Sequence, residues 1–109
     1  MLPKRPLVVT LCGSTRFKKQ FEEIQKSLTY DGCIVITPGS YEHMPDDDVT
    51  KENLDRLHLQ KIDISDEIFV INVGGYIGKS TLGEIEYARA NNKKIRFLET
   101  TEVKVEPDR

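Results

Sequence analysis

Short apolar runs take turns with segments whose apolar residues recur at the helical period, and this alternation restricts the fold more than any other feature of the chain. Leu7-Val8-Val9-Thr10-Leu11 is rich in β-branched residues and lacks polar alternation, which suits a strand buried on both faces of a parallel sheet. It ends at Gly13. Ser14 can then cap a helix whose Phe17, Phe21, Ile24 and Leu28 share one face, and Asp31-Gly32 stops it. A second buried strand, "CIVIT", is closed by Pro38-Gly39. "KENLDRLHLQKIDIS" carries Leu54, Leu57 and Ile62 and predicts a second helix, followed by the strand "EIFVINV". The third helix, "TLGEIEYARANN", is expected to bury Leu82, Ile85 and Ala88 on one side, and "KIRFLE" is the fourth strand. The tail alternates weakly at Val103 and Val105, which offers a short fifth strand at an edge.

Three strand-helix units and a closing strand, joined by right-handed crossovers, predict an α/β domain of three layers. Its sheet is parallel and flavodoxin/Rossmann-like, with four to five strands, strand one central and helices on both faces. At 109 residues the chain, 1–109, is expected to form a single domain. So small a sheet leaves apolar helix surface to cover, which predicts a homodimer.

The formal net charge of −2 argues against a nucleic-acid polymer or a membrane surface as partner, since both need clustered Lys and Arg. A small anion is still within reach, because one helix end and one Arg can hold a phosphate on an acidic protein. Cys12 and Cys33 lie far apart in no metal-ligand or C-x-x-C spacing and read as buried thiols of a reducing compartment. "MLPKRPLVVTLCG" shows no signal-peptide cleavage pattern and no segment reaches membrane-spanning length, so the expected location is the cytoplasm.

In parallel sheets of this kind ligands bind outside the carboxyl ends of the strands. Three loops meet there: Gly13 to Arg16, Pro38 to Thr50, and Gly74 to Thr81. In "CGSTRF", Gly13 permits close backbone approach, and the amides of Ser14, Thr15 and Arg16 at a helix start favour an anion. The same residues also read as an ordinary N-cap, Ser14, with a solvated Arg16. "NVGGYIGKST" ends like a Walker phosphate loop but is one residue short between its glycines, since Val73 stands where the first glycine is needed. Glu84 is expected in the first turn of helix three, where the helix dipole would keep it ionised as a nucleophile or base. Alternatively Thr81-Leu82-Gly83-Glu84 is a capping box, and Glu84 only returns a hydrogen bond to the backbone. His43 and His58 with Asp46-Asp47-Asp48 match no ligand motif, so no metal and no other cofactor is expected.

Together "LCGSTRF", "DISDEIFVINV" and "GKSTLGEIEYARANNKKI" resemble, in order and spacing, the nucleoside 2-deoxyribosyltransferase-like superfamily, which includes deoxyribosyltransferases and deoxynucleoside 5'-monophosphate N-glycosidases. The resemblance runs from Val8 to Leu98. It implies cleavage of the N-glycosidic bond of a nucleoside or nucleotide, with Glu84 attacking the anomeric carbon. It implies a 5'-phosphate held by Gly13, Ser14 and Arg16, with Thr15 in the same turn, and again a homodimer. Tyr76 and Ser80 are then expected to line the sugar, with Tyr41 or His43 closing from the long loop. The sequence departs from the family at Thr10, where an aromatic residue is usual, at His58, where an acid is expected, and at Gly78, where Ser or Asp is expected. An alternative on the same fold is a nucleotide-binding or sensing module without catalysis.

Overall fold

The computed structural model describes residues 5–39 and 45–100. The tail valines and the loop residues Tyr41 and His43 lie outside the described residues. In chain order the elements are β1 (Val8–Gly13), a 3-10 turn (Thr15–Phe17), α1 (Lys18–Tyr30), β2 (Ile34–Ile36), α2 (Asp48–Asp63), β3 (Glu67–Ile71), a second 3-10 turn (Val73–Gly75), α3 (Lys79–Ala90) and β4 (Lys94–Phe97). The four strands form one sheet in the order β2-β1-β3-β4, every pairing parallel. Val9 sits opposite Val35 and Glu67, and Ile68 opposite Thr10 and Ile95. β1 and β3 are the inner strands.

Because successive residues of a strand point to opposite faces, β1 and β3 each serve two cores. Val9 and Leu11 pack with Leu28, Phe21 and Ile24 of α1 and with Phe69 of β3. Cys12, Ile68 and Val70 pack on the other face with Ile62 of α2 and with Ile85 and Ala88 of α3. The result is the three-layer α/β architecture, with α1 on one face and α2 and α3 on the other. Val9, Leu11, Ile62, Ile68 and Val70 are fully buried, each worth about 1.5–3 kcal/mol of apolar transfer.

Several element details differ from the sequence expectation. Ser14 caps the short 3-10 turn, its Oγ accepting from the Arg16 amide at 3.3 Å, and α1 begins only at Lys18. Phe17 therefore leaves the α1 stripe and meets the Tyr76 ring edge-on, with centroids 6.1 Å apart. β2 is not buried on both faces. It is an edge strand, and Ile34 is half exposed. α2 starts at Asp48 because Asp47 caps it, accepting from the Thr50 amide at 2.7 Å; its buried residues are His58 and Ile62, while Leu57 is half exposed.

α3 starts at Lys79 with Gly78 at the N-cap, three residues before the expected Thr81. Its buried face is accordingly Thr81, Ile85 and Ala88, at spacings of four and three, and Leu82 is turned to solvent. Beyond β4 the chain is tied back to the loop after β3. The buried Asn72 amide donates to the Glu99 carbonyl at 3.0 Å and accepts from the Glu99 amide at 2.9 Å, while the Glu99 carboxylate accepts from the Gly74 amide at 2.8 Å. Among the described residues no helix is long and apolar enough to cross a membrane.

Candidate functional site

The strand order reverses between β1 and β3: from β1 the chain turns outward to β2, and from β3 it turns outward to β4. Loops leaving two adjacent strands in opposite directions open a crevice at their carboxyl ends. Here it is a cleft of about 500 Å³. Gly13, Ser14 and Thr15 form one wall, Pro38 and Gly39 an end, α2 contributes Asp55 and His58, and Tyr76, Gly78, Ser80 and Glu84 close the other side. Gly13 makes the opening possible. Its φ of +149° disfavours any side chain, and a Cβ there would meet the Ile71 carbonyl oxygen at 2.8 Å.

The residues expected to hold a phosphate divide. Ser14 and Thr15 line the cleft, but the Arg16 guanidinium stacks over the Tyr76 ring at 4.5 Å and donates to Ser14 Oγ at 3.1 Å. Arg16 thus stands behind the Tyr76 wall. Gly78 sits beneath that same ring, so a Cβ would approach the Tyr76 hydroxyl to 3.1 Å. The absence of a side chain at position 78 goes with the presence of a tyrosine at position 76.

The early start of α3 changes the reading of Glu84. Thr81 is already inside the helix, Gly78 offers no side-chain cap, and the first backbone bond runs from the Leu82 amide to the Gly78 carbonyl at 2.9 Å. The capping box is therefore not formed. Glu84 lies in the second turn, beyond the reach of the dipole effect that would have kept it ionised. Burial acts instead, and in the opposite direction.

The Glu84 side chain is only 17% exposed and its Oε1 lies 3.5 Å from His58 Nε2. His58 Nε2 in turn lies 3.4 Å from the Sγ of Cys12, which is fully buried near the end of β1. Burial pushes the Glu84 carboxyl up to about 7; the Cys12 thiol, donating to it, pulls the other way, and the charge of Asp55 adds to the rise. Burial pushes His58 down to about 4, helped by Lys61 and opposed by Asp55. Burial, and then the Glu84 charge, raise the Cys12 thiol well above its ordinary value of 9.0. Near pH 6 all three groups are neutral. The easiest ionisation among them is loss of the Glu84 proton, with the His58 imidazole as its nearest base.

The fold brings Gly13, Ser14, Thr15, His58, Tyr76, Gly78, Ser80 and Glu84 to one cleft, with Arg16 beside it. Sequence reasoning missed Cys12, Lys51, Asp55 and Lys79. His58 carried a legible signal, since Leu54, His58 and Ile62 recur every four residues on the inner stripe of α2. Thr10 spends its hydroxyl inside the fold, 2.5 Å from the Ser65 hydroxyl. No protein-family model matches the chain, and no curated protein matches it.

Proposed function

We propose that the chain cleaves the N-glycosidic bond of a nucleotide or deoxynucleotide, a 5'-monophosphate by preference, with Glu84 as nucleophile. The resemblance to the nucleoside 2-deoxyribosyltransferase-like superfamily first suggests this reading. The observation that carries it is the Glu84 carboxyl on the floor of a cleft of about 500 Å³, a size within the range that encloses small ligands. In the ionised form, a Glu84 oxygen attacks the anomeric carbon while the carbon–nitrogen bond breaks and its electron pair leaves with the base. The negative charge beneath the sugar offsets the oxocarbenium-like charge that develops. Water then releases the sugar, or a second base receives it.

The uncapped amides at the start of α3, beside Lys79 and Ser80, together with Ser14 and Thr15 across the cleft, are suited to the phosphate. Arg16 acts through Tyr76 by holding the aromatic wall. Two copies of the chain working as a homodimer in a reducing cytoplasm complete the reading, Cys12 and Cys33 both being unpaired thiols. A non-catalytic nucleotide-binding module is the second reading. One observation favours it: a carboxyl pushed to about 7 is half protonated at neutral pH and then binds as a hydrogen-bond donor.

Release of free base from a panel of nucleosides and 5'-monophosphates, followed by chromatography, decides between them. Turnover that rises with pH through about 7 and disappears in Glu84→Gln supports the glycosidase. Nucleotides that raise the melting temperature without any base release support the binding module.

A further inference from the structure

We propose that Cys12, His58 and Glu84 form a binding site for one thiophilic divalent cation of the zinc type, held by Cys12 Sγ, His58 Nε2 and a Glu84 carboxylate oxygen, with a fourth position open to the cleft. The three donors come from β1, α2 and α3, 46 and 26 residues apart in sequence, and their ligand atoms all lie within 4.8 Å of one another. Sγ to Nε2 is 3.4 Å and Nε2 to Oε1 is 3.5 Å. Zinc bonds of about 2.0–2.3 Å at tetrahedral angles separate their donors by about 3.3–3.6 Å. The two pairs through His58 already stand at that spacing, and the third, within 4.8 Å, closes by side-chain rotation of Glu84.

The donor chemistry agrees with the spacing. A thiolate and a carboxylate supply two negative charges for a dication, and imidazole supplies the neutral third ligand. Cys12 is fully buried, while His58 and Glu84 line the cleft above it, so an ion among them sits at the cleft floor with one side open. Three protein ligands with one free position is the arrangement of exchangeable and reactive zinc sites. Binding displaces the thiol proton, and the carboxyl proton where present, into solvent. Asp55 also lines this cleft and adds a negative charge near the ion, and the Lys61 amine is engaged by the Thr37 carbonyl at 2.9 Å. A metal-bound Glu84 cannot attack carbon, so the ion and glycosidic cleavage exclude one another.

The test is titration of the chelator-stripped full chain with Co²⁺, followed by displacement with Zn²⁺. One cobalt per chain is expected, with a thiolate-to-cobalt charge-transfer band that zinc abolishes. Cys33→Ser should keep the band and Cys12→Ser should lose it, while Glu84→Gln and His58→Gln should each weaken binding at least about tenfold. Absence of the band in the folded native chain overturns the proposal, as does a band that survives Cys12→Ser. Should Cys12→Ser not fold, Glu84→Gln decides: nearly the same in shape, it keeps the fold by circular dichroism, and unchanged cobalt affinity in it refutes the site. Cobalt binding is read without any nucleotide. A chain that binds cobalt but, once stripped of metal and assayed in chelator, releases no base refutes the glycosidase alone, and a chain that releases base but binds no cobalt refutes the metal site alone.

Discussion

Replacing Glu84 by Gln should stabilise the metal-free protein at alkaline pH, because the fold holds this carboxyl in an environment that resists its ionisation. The folded-state value of about 7 stands against an ordinary 4.5. A group raised in this way favours the folded state fully below 4.5, and that contribution is lost as pH rises through 7. At about 1.36 kcal/mol per unit, the shift corresponds to roughly 3 kcal/mol lost by pH 8. The glutamine amide is neutral throughout and of nearly the same shape, and its carbonyl still accepts from the Cys12 thiol. Native and variant chains should therefore unfold at similar urea concentrations at pH 4.5, with chelator present. At pH 8 the variant should be the more stable by about 2–3 kcal/mol. His58 and Asp55 are common to both proteins, so their titration largely cancels in the difference. A stability difference that is the same at both pH values, or a variant that is weaker at pH 8, would refute the burial argument.

His58 supplies the mirror-image effect: a base lowered from 6.5 to about 4 loses its contribution as pH falls between those values, so Glu84→Gln should gain about 3 kcal/mol from pH 4 to 6.5 in urea melts. The double variant with His58→Gln should lose that slope. Gly13→Ala forces a Cβ toward the Ile71 carbonyl at a φ of +149°, and should cost at least about 1–3 kcal/mol by thermal or urea denaturation. Asn72→Ala removes both side-chain bonds to Glu99 and should cost about 2–4 kcal/mol, read in the same way. An unchanged midpoint in either variant counts against the packing described for it.

The strand pattern was the most legible part of the chain because β1 and β3 are buried on both faces and so consist mostly of apolar residues, Thr10 and Glu67 being the buried polar exceptions. The starts of α1 and α3 were less so. Thr81 and Ser14 both have cap chemistry, but Gly78 and the 3-10 turn at Thr15–Phe17 took over those starts, and one spare hydroxyl does not fix a helix boundary. For Glu84 the sequence points to the wrong environment: a shift of three residues takes it from the helix end, where charge is favoured, to a largely buried second turn, where it is not. The Cys12–His58–Glu84 cluster had no signature in local spacing. It arises from topology, where the carboxyl end of an inner strand passes under two helices that cross the same face.

The bonds from Asn72 and Gly74 to Glu99 also say how far the chain must run to hold the cleft. The four strands of the described residues are complete at Phe97, yet the glycine-rich loop that walls the cleft is held by Glu99, beyond β4. A chain cut after Leu98 keeps the four described strands but releases the loop that carries Tyr76 from its anchor. The shortest piece of this protein that holds the cleft wall as the full chain does therefore extends through Glu99.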